Sequence, residues 1–373
     1  MNLSYWEQQS WLNEIDYTII GSGIVGLNAA LEIKRSFPEA RVIILERGFL
    51  PNGASTKNAG FACFGSLSEI LDDLDHQTEE MVVKLVKKRL AGLELLRNIV
   101  GDRNMDYQVW GGYEFFFEDD EASQAYCISR LPEVNELLFP VFHEEVFTTC
   151  KNKFNFKKIK EPLIYNKFEG QINTGKMMEC LLQKVYAAGV KILNNVEVDS
   201  FSDKNGLVEV NTDKFRVHTK KLLIASNGFA SKFGIPGVKP ARAQVLVTKP
   251  IPDLEIKGTF HIDKGFYYFR NIDNRILFGG GRNLDLKGEE TIEMVQTELI
   301  QNRLEDLLRN IILPNTAFEI DQRWSGIMGV GDTKAPILKN LSANVMCGVR
   351  LGGMGVAIGS ITGRELAEMA IKQ

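Results

Sequence analysis

Little in this sequence points to a metal centre, a disulfide scaffold or a membrane span. The cysteines number five, Cys63, Cys127, Cys150, Cys180 and Cys347, at wide spacings. No Cys-x-x-Cys pair or Cys/His cluster occurs, which argues against a zinc site and a disulfide framework. Histidine is scarce and scattered, at His76, His143, His218 and His261. The longest apolar stretch, residues 19–33, is broken by Gly21, Ser22, Gly23, Gly26, Asn28 and Glu32. It is too short and too glycine-rich to cross a bilayer. No excess of either charge appears: 44 Lys+Arg face 48 Asp+Glu, a net charge of -4. The one basic run, Lys151, Lys153, Lys157, Lys158 and Lys160, reads as a solvated loop or edge strand, and no nucleic-acid partner is expected. No Lys or Arg precedes Asp16, unlike a signal peptide. With the cysteine pattern, this makes the cytoplasm the expected compartment.

What remains is a globular chain of 373 residues, 44% apolar and 25% charged, with 33 Gly. That length suits two domains, or one α/β unit with an insertion. No internal repeat or low-complexity linker interrupts it.

The first residues carry the strongest pattern. A β-branched run, Tyr17–Ile20, is followed by Gly21-Ser22-Gly23-Ile24-Val25-Gly26, a helical stretch over 27–37, and a buried strand over 41–46. Gly21 allows the tight turn, Gly23 lets backbone approach a pyrophosphate, and Gly26 lets helix pack on strand. The helix start offers free N–H groups to phosphate. Glu46, 20 residues beyond Gly26, stands where a carboxylate accepts ribose hydroxyls. Arg47 follows it. Two further loops suit a long dinucleotide: Gly53 to Gly60, with Ala54, Ser55, Asn58, Ala59 and Gly60, and Gly352-Gly353-Met354-Gly355 before the last helix. An NAD enzyme has no need of that second glycine loop, so FAD is the expected cofactor.

The rest reads as follows. Helices are expected over 68–100, 120–138 (stopping or kinking near Pro132), 175–188, 289–308 and 363–371. Strands are expected over 108–117, 190–198, 207–210 paired with 215–217, 221–225, 243–247, 266–270 and 275–278.

The ordered set of motifs resembles the FAD-dependent D-amino-acid oxidase superfamily, which includes glycine and sarcosine oxidases, and within it the gamma-glutamylputrescine oxidase-type amine oxidases. Carrying the resemblance are Ser4-Tyr5-Trp6, the Gly21 to Gly26 fingerprint, Gly53-Ala54-Ser55 with Asn58-Ala59-Gly60, and Gly170-Gln171-Ile172-Asn173. Further along are Ala225-Ser226-Asn227-Gly228, Arg242-Ala243-Gln244, Tyr267-Tyr268, the run 275–281, Trp324-Ser325-Gly326 and the Gly352 to Gly355 loop. The resemblance implies an α/β (α+β overall) fold. A discontinuous Rossmann-like FAD-binding domain (1–75, 156–235, 325–373) would join a mixed or antiparallel-sheet substrate domain (76–155, 236–324). It implies hydride loss from the α-carbon of a small amine to the flavin, giving an imine that hydrolyses, with dioxygen or another electron acceptor. A glycine or D-amino-acid-type oxidase or dehydrogenase, or a flavin-binding subunit of a larger complex, are the alternatives.

The cofactor residues so implied are Gly21, Gly23, Ile24, Val25, Gly26, Glu46, Arg47, Ala54, Ser55, Asn58, Ala59, Gly60, Val196, Ser226, Asn227, Gly228, Gly326, Gly352, Gly353, Met354 and Gly355. The flavin is expected to be held without a covalent bond, although Cys63 lies close to its loop. In the substrate pocket the resemblance implies Tyr267, with Tyr268 on the opposite face. Trp324 either walls the pocket or fills core, and His261 is either a base or a structural histidine. Relatives place an Arg after the Trp-x-Gly step, where this chain has Met328. Arg350 or Arg242 is then the candidate for a substrate carboxylate, with a surface role as the alternative for Arg350. The strand over 276–278 lacks the lysine that promotes oxygen reduction in sarcosine oxidase-like members, and Lys57 is the other candidate.

Overall fold

The computed structural model describes residues 2–204 and 206–372. Two large sheets organise it. In the first, five strands run parallel in the order Val345–Val349, Arg216–Ile224, Ile15–Ile20, Val42–Leu45 and Lys191–Leu193. Their runs of Val, Ile and Leu are buried on both faces, as parallel strands must be. Ile337–Asn340 adds an antiparallel edge. The fingerprint helix, Ile24–Ser36, packs on the last helix, Gly355–Ile371, and on Thr174–Ala187. The helix Glu79–Val100 packs on the last helix too.

The second sheet has eight strands, in the order Ile320–Val330, Lys239–Thr248, Arg275–Gly280, Tyr267–Ile272, Thr259–Ile262, Gly112–Glu114, Leu163–Asn166 and Phe147–Cys150. One pair, Thr259–Ile262 with Gly112–Glu114, is parallel; the others are antiparallel. Phe115, Phe156, Phe260, Phe269 and Phe278 form its core. Phe260 and Phe269 face each other across the pair, stacked at 4.4 Å. The mixed α/β architecture is the expected one. Relative to the expected segments, Glu79–Val100 sits with the first layer and Leu163–Asn166 with the second.

Several element boundaries differ from expectation. Pro132 and Pro140 both lie inside one helix, Glu121–Phe142. The expected hairpin arm 215–217 and the buried strand 221–225 are a single strand, Arg216–Ile224. Residues 190–198 are two strands, Lys191–Leu193 and the start of Val198–Lys204, separated by a loop. The helix expected from residue 289 begins at Glu298, and Glu289, ahead of it, pairs with Arg242. The last helix begins eight residues earlier than expected, directly after the glycine loop. Among the described residues, no helix is long and apolar enough to cross a membrane.

Candidate functional site

Ile15–Ile20 is central in the parallel sheet, and strand order reverses beside it. Ligands bind at such switch points, in the crevice outside the carboxyl ends of the strands. The structure has a cavity there of about 980 Å³, running from the ends of these strands to the face of the second sheet.

At one end lie Gly21, Gly23, Ile24, Val25, Glu46, Arg47, Ala54, Ser55, Val196, Ser226 and Asn227. Gly21 has φ +101° and abuts the Ala225 carbonyl. A Cβ on Gly23 would lie 2.8 Å from Ser55 Oγ, which accepts the Ile24 N–H at 2.9 Å. Glu46 is buried. One of its oxygens accepts from the N–H and hydroxyl of Ser22, the other from the N–H groups of Gly48 and Asn52. The carboxylate therefore ties the fingerprint turn to the loop after the second strand. Arg47 lies flat on Phe229, 3.6 Å from the ring centroid. Ser226 Oγ is buried without a hydrogen-bond partner.

In the middle lie Lys57, Asn58, Ala59, Gly60, Gly326, Met328, Gly352, Gly353, Met354 and Gly355. Asn227 fixes the glycine loop, its side-chain oxygen accepting from the N–H groups of Arg350 and Leu351. Arg270 holds the 58–60 loop from behind, donating to the carbonyls of Ala59 and Ile172. Burial lowers its pKa to about 10. A Cβ at Gly60 would lie 2.7 Å from its Nη2.

At the far end lie Cys63, Glu69, Asp72, His261, Lys264, Phe266, Tyr268, Arg282 and Lys334. His261 bonds Glu169 at 2.5 Å through Nε2, and its Nδ1 lies 3.7 Å from Glu69 Oε2. Burial opposes charge on the ring, but Glu169, with Glu69 and Glu114, lifts its pKa from 6.5 to about 9. The pair with Glu169 thus favours the protonated ring. Burial, reinforced by Glu169 and Glu69, pushes the Cys63 thiol well up. Cys63, Glu169 and His261 are close enough to share an ion. Burial raises the Tyr268 hydroxyl to about 12. The Arg282 guanidinium rides over the Phe266 ring, 5.4 Å from its centroid, and has no hydrogen bond or ion pair among the described residues.

The cavity thus brings together most of the residues expected to contact a cofactor. Gly26 and Gly228 are the exceptions: both are packing glycines. A Cβ at Gly26 would meet the Gly21 carbonyl at 2.0 Å, and one at Gly228 the Met328 carbonyl at 2.3 Å.

The expected substrate residues fare differently. Tyr267 points into the phenylalanine core, and Tyr268 faces the cavity. The alternation was read correctly and the face was not. Trp324 does not line the cavity; its Nε1 donates to the Lys57 carbonyl at 2.9 Å. Arg350 has φ +63°. Its guanidinium is spent on the carbonyls of Ala335 and Gly237 and on Thr333 Oγ1, so it fastens the loop over 331–336 and does not enter the pocket. Arg242 is buried in a bidentate pair with Glu289.

Sequence reasoning missed Glu69, Arg270 and Arg282. Arg282 directly follows Gly279-Gly280-Gly281, a signal that was available. Arg270 sits inside a strand and gave none.

Residues 16–369 match the family described as FAD dependent oxidoreductase (DAO). Among curated proteins, the chain is 22% identical to the Haemophilus influenzae protein named "Probable oxidoreductase OrdL", covering 96% of this chain and 83% of that protein. It is 21% identical to gamma-glutamylputrescine oxidoreductase of Escherichia coli, covering 95% and 83%. Among solved structures, glycine oxidase from Geobacillus kaustophilus superposes with a TM-score of 0.77 at 17% identity, covering 96% of this chain and 95% of that one. L-proline dehydrogenase from P. horikoshii superposes at 0.75 and 18%, covering 96% and 94%.

Proposed function

The chain belongs to the DAO family of FAD dependent oxidoreductases, and on that premise we propose that it oxidises a C–N bond of a small amine or amino acid. The observation that carries the reading is the single cavity joining the fingerprint turn to the polar face of the second sheet. The residues present suit FAD. Ser226 lines the cavity, and its buried Oγ has no hydrogen-bond partner among the described residues. Helices begin at Ile24 and Gly355 on its wall, and first-turn N–H groups lack intrahelical partners and attract phosphate or a carbonyl oxygen. Gly21 to Val25, Ala54, Ser55, Val196, Ser226 and Asn227 would hold the adenosine and pyrophosphate, and Asn58 to Gly60 with Gly352 to Gly355 the ring.

The bound flavin supplies the two-electron acceptor for hydride from the α-carbon. The chain's own residues orient the amine against it. The imine product leaves and hydrolyses. Tyr268 and the Phe61 ring, set edge-on at 5.6 Å, wall the amine in. Arg282, without a partner among the described residues, takes the role expected for Arg350: a planar guanidinium that donates two parallel hydrogen bonds to a substrate carboxylate. That favours an amine that also bears a carboxylate. The substrate end is proposed as the second-sheet part of the molecule, and the nucleotide end as the parallel-sheet part. Dioxygen or another acceptor reoxidises the cofactor. Lys57, on the cavity wall, has no ion pair among the described residues. All five cysteines are free, in keeping with a reducing, cytoplasmic setting.

The experiment is an anaerobic absorption titration of the purified holoprotein with a panel of amines and amino acids. Bleaching of the oxidised flavin band by a member of the panel is the expected result. A flavin band that none of them bleaches would count against amine chemistry. Following dioxygen uptake beside dye reduction then assigns the acceptor.

A further inference from the structure

The far end of the cavity contains a carboxylate that the reading above does not use. Glu69 lies in the first turn of the helix Leu67–His76 and lines the cavity. Its Oε2 accepts the Ser66 N–H at 3.0 Å in a capping box, with Ser66 Oγ accepting the Glu69 N–H in return. Its Oε1 has no hydrogen-bond partner among the described residues. The side chain is 13% exposed. Gly265 makes room for it: a Cβ there would lie 2.8 Å from Oε1.

No neighbouring cation bonds Glu69 Oε1 among the described residues, and most have other partners. His261 is bound to Glu169 at 2.5 Å. Lys264 pairs with Asp72 at 2.9 Å and Lys334 with Asp73 at 2.7 Å. Arg89, from the helix Glu79–Val100, donates from Nη1 to the Phe64 carbonyl, and its Nε and Nη2 are buried with no hydrogen-bond partner among the described residues. Glu114 is taken by Ser66 and Ser68. Glu69 is thus a cap-fixed carboxylate with one oxygen free, on the cavity wall. Its nearest charged donor, His261, is 3.7 Å away and shared with a second carboxylate.

Hydride can leave the α-carbon only when the nitrogen lone pair is free to form the imine. A primary amine reaches the protein at neutral pH mainly as ammonium, so one proton must go first. We propose that Glu69 Oε1 receives the substrate ammonium and takes that proton. The step is R–NH3⁺ plus Glu69 carboxylate giving R–NH2 plus Glu69 carboxylic acid, with no change in oxidation state. This inference rests on the amine-oxidising reading and adds the residue that selects a protonated amine and readies it.

Glu69→Gln tests it, because glutamine keeps the capping acceptor and the shape and removes the charge. The holoprotein variant should retain its flavin and its melting temperature. In the anaerobic reduction of the flavin, kcat/KM at pH 7 should fall on the order of a hundredfold. That loss should shrink as the pH passes the substrate's own pKa, where the amine arrives neutral. The groups facing Glu69 are His261, Glu169, Glu114, Cys63, Arg89, Lys264 and Lys334, with Asp72 and Asp73 on its own helix. His261, at about 9, is the one titrating in the same range.

Two amines with well-separated pKa values discriminate between the two groups. In the variant the limb should move with the substrate. A limb fixed near 9 for both amines would assign it to His261 and overturn the proposal, as would unchanged kinetics.

A binding measurement stands apart from turnover. tert-Butylammonium has no α-hydrogen and is not oxidised. Its affinity by calorimetry should fall about tenfold or more in the variant, by loss of a desolvated ion pair. Equal affinity would overturn the subsite. Glu69-dependent binding in a protein that no amine reduces would retain the subsite and remove the oxidase reading.

Discussion

Trp324 Nε1 donates to the Lys57 carbonyl at 2.9 Å, and this contact fastens a strand of the second sheet to the loop beneath the middle of the cavity. The bond joins residues 267 positions apart and spans the two layers. Trp324→Phe keeps the ring packing beside Ala59 and removes the donor. Stability should fall by about 1 kcal/mol, with a measurable shift in the flavin absorption envelope. Unaltered melting and spectrum would show the bond to be dispensable.

Gly23→Val places two methyls where Ser55 Oγ sits, 2.8 Å from an ideal Cβ. Ser55 must then give up the Ile24 N–H, and the approach to the helix start closes. The purified variant should lose most of its flavin, measured as the ratio of flavin to protein absorbance. Normal flavin content would refute the placement of the pyrophosphate.

Glu46→Ala removes four hydrogen bonds at once. Both flavin affinity and apoprotein stability should drop, because the carboxylate braces two loops before any ribose is present. A deficit seen only in the holoprotein would mean that the bracing is secondary to ribose binding.

Arg282→Ala should raise KM for carboxylate-bearing amines by on the order of tenfold or more and leave amines without a carboxylate unaffected. Arg350→Ala should behave in the opposite way. It should lower stability by about 2 kcal/mol through the freed 331–336 loop, with no selective effect on anionic substrates. Exchange of these two phenotypes would reverse the assignment made from their hydrogen bonds.

His261 gives a pH signature. Its pKa in the fold, about 9, exceeds its ordinary 6.5. The folded state therefore binds this proton more tightly than the unfolded chain. The stabilisation is complete below about pH 6.5 and fades as pH rises through about 9. Melting temperature should decline over that interval, and His261→Gln should flatten the decline. An equally steep decline in the variant would place the titration elsewhere.

The nucleotide end was legible because its chemistry lives in backbone and spacing. A strand, three glycines and a carboxylate 20 residues on leave few alternatives, and Glu46 lines the cavity with its oxygens engaged by Ser22, Gly48 and Asn52. The substrate end was not legible, because its residues are chosen by which face of a strand meets the cavity. Tyr267 and Tyr268 differ by one position, and pattern alone does not say which face of a sheet covered on both sides is the pocket. Arg350 was misplaced for a related reason. Its position before the glycine loop is close to the cavity in the chain, but a left-handed backbone turns its side chain toward Thr333 and Ala335. Glu69 left no signal beyond a Ser-x-x-Glu cap, which occurs on helices of every kind.

The order of strands in the parallel sheet bears on how the molecule is made. Ile15–Ile20 must find Arg216–Ile224 on one side, and that strand in turn needs Val345–Val349. The last parallel strand lies far beyond Ile15–Ile20 in the chain, and the glycine loop on the cavity wall follows it. Contacts of such long separation form slowly. A nascent chain thus holds exposed apolar strand edges until that strand is made. Cofactor supplied during synthesis has nothing complete to grip. It stabilises only the finished fold, by mass action, so starvation for the cofactor should lower the standing amount of protein without lowering the rate at which chains fold.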